Sequence, residues 1–190
     1  MEKKNFLELF GKYLAPSDIA PILLSASDIR SRINRENRIL EIRAEFPTLV
    51  KKDVLYSVEK GIREAYNLNV VKILPHYPQS LFSYDYIPEI LKETEQVGIV
   101  ARGFFSDYDY RLDLSNNTIE ISIPFSDGGI TLLDDAKTPA VIENIIKSEF
   151  SIATHVSIVH KDMGMSGSDR AAFQKKRLEE IDRQIQRAER

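Results

Sequence analysis

The sequence predicts an α+β protein made of two tandem modules, each with helices packed on a three-stranded sheet, followed by a charged helical linker. Three observations lead there. Apolar residues change from helical spacing to strict alternation and back, in the same order twice. Two hairpin segments align at a constant offset of 79 positions, with Arg32, Asn37, Glu41 and Ile42 met by identical residues. The composition, 43% apolar and 29% charged over 190 residues, is that of a globular chain long enough for one medium domain or two small ones. The modules are placed at 1–76 and 77–161, with the joint and linker at 162–190.

The first module opens with "NFLELFGKYLA", in which Phe6, Leu7, Phe10 and Leu14 share a helical face. A second helix follows in "PSDIAPILLSA", with Ser17 as its expected N-cap. The period then becomes two. "DIRSRIN" and "RILEIRAEF" flank "RENR" and read as a hairpin, with Leu40, Ile42, Ala44 and Phe46 on one face. "TLVKKDVLYSVEKGIREAYN" returns to a helix with Val54, Val58, Ile62 and Ala65 on its buried stripe and Asn67 as C-cap. "VVKIL" closes the module as a strand.

The second module repeats the order. "PEILKETEQVG" is a helix ending at Gly98, "YRLDLS" and "TIEISIPF" form a hairpin over Asn116 and Asn117, and "TPAVIENIIKSEF" is a helix capped by Thr138. "HVSIV" is the last strand. "RINRENRILEI" lies over "RLDLSNNTIEI", and with a small gap "IREAYNL" lies over "IKSEFSI", the pattern of an internal duplication. Between the modules, "LPHYPQSLFSYDYIPEILKE" is the boundary. Pro75 and Pro78 should stop the strand, and Phe82, Tyr86 and Ile90 recur every four residues as packing residues between modules. After "KDMGMSGSDR", a flexible joint by composition, the segment "DRAAFQKKRLEEIDRQIQRAER" has seven basic and five acidic residues around a thin stripe of Ala171, Leu178 and Ile185.

Several function classes are excluded or weakened. A net charge of −3 is unsuited to a general polyanion binder. The absence of cysteine removes thiolate chemistry and disulfides and fits a reducing, cytoplasmic location. No apolar run is long enough to span a membrane, and "MEKKNFLELFGKYL" lacks the cleavage site of a signal peptide. No phosphate-binding or nucleophile-elbow motif occurs. His155 and His160 fall on opposite faces of one strand, so a shared metal site is not expected. Asp107, Asp109 and Asp113 could ligate a cation but lack the remaining ligands of a calcium loop, and a solvated loop is expected instead. "SDGG" at 126–129 reads as a strand-to-helix turn. "GMSG" at 164–167 matches a G-x-x-G clamp but follows the last strand and has no basic residue between its glycines, so it reads as linker. "KKR" at 175–177 is followed at once by Glu179 and Glu180 and reads as part of a mixed-charge helix.

The segments "YPQSLFSYDYIPEIL", "GFFSDYDYRLDLSNNTIEISIPFSDGGITLL" and "EFSIATHVSIVHKD" resemble the N-terminal region of PolC-type DNA polymerase III alpha subunits of low-GC Gram-positive bacteria, the clostridial kind especially. The resemblance implies two KH-like (pseudo-KH) α+β domains, akin to the polymerase-binding domain of the clamp-loader tau subunit and to the N-terminal domain of the replication initiator. It further implies a linker to polymerase and exonuclease domains beyond Arg190. The parent would be a DNA-directed DNA polymerase with 3′–5′ exonuclease activity. This segment would be non-catalytic, hold no cofactor, and serve replisome contacts with tau as leading partner.

An exposed apolar patch would mark such a contact. Phe6, Phe10 and Tyr13 of the first helix and the loop pair Phe104 and Phe105 are the candidates, each equally suited to a core. The alternative is single-stranded nucleic-acid binding through Arg30, Arg32, Arg38 and Arg43, the most basic stretch of the body; a charged, solvated sheet edge accounts for them equally well.

Overall fold

The computed structural model describes residues 4–161 other than 114. It contains two three-stranded sheets of identical topology. In the first, β1 (Ser27–Asn34) pairs antiparallel with β2 (Ile39–Glu45), and β2 pairs parallel with β3 (Val70–His76). In the second, β4 (Asp109–Asp113), β5 (Thr118–Ile123) and β6 (His155–His160) repeat that order and sense. The parallel crossovers are made by α3 (Lys52–Ala65) in the first unit and by α5 (Asp127–Asp135) with α6 (Thr138–Phe150) in the second. Short helices α1 (Phe6–Leu9) and α2 (Ala20–Leu24) precede the first sheet, and α4 (Ile87–Val97) precedes the second.

The repeat extends to backbone detail. Arg38 and Asn117, 79 positions apart in matching hairpins, both adopt the left-handed conformation, with φ of 54° and 51°. Asn67 and Ser151 do the same just past α3 and α6, with φ of 53° and 56°. The carbonyls of Arg38 and Asn117 accept the N–H of Asn69 and His155 at the start of each parallel strand. Each third strand also receives a helix carboxylate: Glu59 accepts from the Ile73 N–H at 2.6 Å, and Glu143 from the Val156 N–H at 2.9 Å. An edge strand has unpaired backbone donors, and these glutamates satisfy one in each unit.

Several local expectations are corrected. The first helix stops at Leu9 because the chain turns back at Phe10 and Gly11, with the Tyr13 N–H bonded to the Phe10 carbonyl; Tyr13 is buried in place of Leu14, which is exposed. Ile19, not Ser17, precedes α2, and Lys137, not Thr138, precedes α6. On α3 the buried stripe is Leu55, Val58 and Ile62, with Val54 and Ala65 only partly covered. Pro75 does not stop β3, which runs on to His76; a proline is tolerated there because β3 is the outermost strand. The glycines of "SDGG" lie inside a nine-residue helix, α5, which begins at Asp127. Its glycine pair reads as a breaker, yet Gly129 is required by packing: a Cβ there would lie 2.9 Å from Phe125 Cβ and 3.3 Å from Phe104 Cε1. The carboxylates near β4 are committed internally. Asp113 accepts from Ser115 and Asn116 and shapes the hairpin turn, and Lys161 bridges Asp107 and Asp109 at 2.8 and 3.1 Å. "GMSG", "KKR" and the charged segment at 162–190 lie outside the described residues.

Gly61 shows how closely the N-terminal segment is seated. A Cβ at this position of α3 would sit 2.3 Å from Tyr13 Cε2. The Gly61→Ala substitution should therefore destabilise the protein by roughly 1–3 kcal/mol by displacing the Tyr13 ring, although alanine is the better helix former. Urea unfolding of the variant checks this.

Candidate functional site

The two units meet along the proline-rich boundary. Past His76 the chain makes two short 3-10 turns, Gln79–Leu81 and Tyr84–Tyr86, before α4. The Tyr77 N–H donates to the Glu149 carbonyl at 2.7 Å. The fully buried Tyr77 ring lies 5.4 Å from Phe150, 5.6 Å from Tyr86 and 6.2 Å from Phe46. Phe82 packs 5.1 Å from Phe150. As the spacing predicts, Phe82, Tyr86 and Ile90 are all buried. One aromatic core thus joins the end of the first sheet to the last turn of α6.

Beside it lies a buried ion cluster. Lys52, in the first turn of α3, is 2% exposed, and its ammonium bonds the Glu149 carboxylate from α6, with Glu93 of α4 at 4.0 Å. Glu93 also accepts from Tyr56 Oη at 2.6 Å and Lys72 Nζ at 2.5 Å. Glu149 further accepts from Tyr86 Oη at 3.1 Å, and Glu89 accepts from the Lys52 N–H at 2.5 Å. Burial drives both carboxyls upward. At Glu93 the Lys52 charge and the bonds from Lys72 and Tyr56 outweigh burial, leaving it below the usual carboxylate range. At Glu149 burial prevails over Lys52 and the carboxyl stays raised. Burial likewise lifts the hydroxyls of Tyr56, Tyr77 and Tyr86, which therefore remain protonated donors.

This cluster floors a cleft of about 280 Å³ whose walls are Ile73, Leu74, Pro75, Val97, Val141 and Ile145. Val97 on its wall is the last residue of α4, which ends at Gly98; a 3-10 turn over Ile99–Ala101 follows and lines an adjoining pocket of about 260 Å³ that shares Val97 and Val141 with the cleft. Ala101 is buried and anchors the turn, which pushes the preceding side chains outward: Val97 is 56% and Ile99 78% exposed, with Val100 beside them. Three branched apolar side chains in four positions, lining this adjoining pocket, form the kind of surface that a partner covers. The sequence signal for it was "VGIV", an apolar run across a helix-ending glycine with no polar alternation.

The aromatic candidates do not form that surface. Phe6, Phe10, Tyr13 and Phe105 are buried, and Phe104 is partly buried at 4.8 Å from Phe125. Phe10 lies edge-on to Tyr66 of the first unit, and the Lys12 N–H donates to Tyr66 Oη, so the N-terminal segment is sealed against α3. Arg30, Arg32, Arg38 and Arg43 are all exposed. Arg30 stands opposite Arg43 and Arg32 opposite Glu41 on the outer face of the first sheet, and Arg38 sits at the hairpin. Glu41 and Glu45 interrupt this basic face, which carries no Phe, Tyr or Trp and has the half-buried His76 across from Glu45. His155 and His160 are exposed and apart, and among the described residues no group of three acidic or histidine side chains is arranged to hold a metal. No described helix is long and apolar enough to cross a membrane.

Removing one member of the cluster leaves a buried charge. Lys52→Met should cost about 3–5 kcal/mol, and the double variant Lys52→Met/Glu149→Leu less than the sum of the single changes, in a double-mutant cycle read by urea unfolding. The raised Glu149 carboxyl gives a pH signature. Above the ordinary value of 4.5, the native state binds its proton more tightly than the unfolded chain, so this group's contribution to stability falls as pH rises through its folded value. Glu149→Gln should remove that downward slope, as measured by urea unfolding from pH 4.5 upward.

No known family model matches the chain, and no curated protein matches it. A solved structure described as "Crystal structure of APE1850" aligns over 81% of this chain and 95% of its own at 15% identity, with a TM-score of 0.31, too slight a likeness to carry an argument.

Proposed function

We propose that this chain is the non-catalytic N-terminal region of a PolC-type replicative polymerase and acts as a protein-interaction module, tethering the polymerase to the replisome through the clamp-loader tau subunit. The observation that carries the interaction role is the exposed apolar rim of Val97, Ile99 and Val100, which lines a pocket next to the cleft between the two units and shares Val97 with it. The polymerase assignment, the KH-like identity of the two α+β units and the choice of tau rest on the resemblance of the chain, best over residues 66–161, to that family's N-terminal region. The rim is built by a turn rather than a core element, and side chains there can meet a partner without unfolding either unit. Nucleic acid is the weaker reading, because the arginine-bearing sheet face is broken by two glutamates and offers no Phe, Tyr or Trp ring for base stacking.

Calorimetric titration of the chain with the C-terminal part of the cognate tau subunit, at low and high salt, tests the proposal. Saturable binding with weak salt dependence is expected. Val97→Asp/Ile99→Asp should weaken it by about tenfold or more with the thermal midpoint unchanged, since both side chains already face water. Absence of tau binding, or binding indifferent to this variant, overturns it.

A further inference from the structure

We propose that the outer edge of β1 is a second docking site, one that takes an extended strand of a partner in which acidic and apolar side chains alternate. It lies on the first sheet and does not depend on the cleft between the units.

β1 is the terminal strand of its sheet, and every residue of it is exposed except the half-covered Ile29. Such an edge presents unpaired backbone donors and acceptors in register for another strand. The matching edge in the second unit is closed. There Tyr84 Oη donates to the Leu112 carbonyl, Tyr110 Oη donates to the Tyr84 carbonyl at 3.0 Å, and the two rings stack at 6.0 Å. Leu112 faces Ile119 in β4 as Ile33 faces Leu40 in β1. Leu112 is 5% exposed and Ile33 52%. The two repeats thus differ at this edge: a tyrosine lid covers one, and no described residue replaces it on the other.

The side chains define the occupant. Arg30 and Arg32 point to the outer face, where Arg43 stands directly across from Arg30. Like charges directly opposed cost stability, and an acid on an added strand relieves this. Asp28 reaches Arg30 at 2.8 Å, but no carboxylate of a described residue bridges Arg32 or Arg43. On the core-facing side Ile33 spills past the helix layer beside Leu40. Side chains alternate faces along a strand, so the added one needs acids toward the arginines and apolar groups toward Ile33. A second copy is a poor occupant, since antiparallel pairing about Ser31 sets Arg30 against Arg32. The register shift between Ser27 and Arg30 leaves Arg30–Asn34 as the pairing length.

The test uses the full chain, ¹⁵N-labelled, titrated with a short peptide alternating Glu and Val, the same peptide N-methylated at every residue, and an oligothymidylate of similar charge. Expected are saturable shifts centred on 30–34 and Arg43, with binding about tenfold weaker for the N-methylated peptide and for Arg30→Glu/Arg32→Glu. Val97→Asp/Ile99→Asp should leave this binding unchanged. The proposal is overturned if the peptide leaves β1 unshifted, if N-methylation has no effect, if the oligonucleotide gives the same shifts with a steeper salt dependence, or if the outward amides of β1 are already protected from exchange in the chain alone.

Discussion

Lys52 stands between two sheets with its ammonium out of water, and the relation of the two units turns on how that charge is met. A buried ion costs several kcal/mol unless its partners are well placed. Here they come from two helices of the second unit: Glu149 from the last turn of α6, Glu93 from the middle of α4, and Glu89, one turn earlier on α4, on the backbone N–H. These partners satisfy Lys52 only when α3 of the first unit lies against α4 and α6 of the second. An all-apolar junction would tolerate sliding. An ion cluster with each carboxylate already engaged by specific donors does not. The cleft above it inherits its shape from that fixed arrangement.

The repeat and its exceptions divide the molecule into framework and surface. The framework is duplicated: the left-handed residues after each helix and within each hairpin, the parallel third strand, and the helix glutamate on its free edge. The exceptions lie where the units meet solvent or each other. The second unit adds α5 to its crossover and closes the edge of β4 with Tyr84, whereas the first leaves β1 open and lines its outer face with arginine. Counterparts of the basic face show the divergence clearly, because Arg30 corresponds to Asp109 and Arg43 to Ser122. Duplicated positions hold the fold, and the altered ones are where interaction chemistry could be added without cost to either core.

The hairpins, α3 and the parallel strands were legible because alternation and helical spacing of Leu40, Ile42, Val58 and Ile62 report burial on one face directly. Four things were not. A glycine pair hid α5, since the packing of Phe104 and Phe125 that demands Gly129 is tertiary. Gly11 and the turn at Phe10 shortened α1, which periodicity alone extended. Lys52 and Glu149, near opposite ends of two amphipathic helices, look like solvated charges, and only the meeting of the units buries them. Phe6, Phe10 and Tyr13 look like a sticky surface because their covering partners, Tyr66 and the Gly61 gap, lie some fifty residues away.

If the ion cluster fixes the two units into one body, their cores should share one unfolding equilibrium. Native-state hydrogen exchange of the buried Ile42 and Ile121 amides, one in each central strand, measured across a urea series, reads this directly. Both amides should exchange through the same global opening, with equal free energies and equal urea dependence. A lower free energy and shallower urea dependence for either strand would mean that one unit opens while the other stays folded, and would contradict that arrangement.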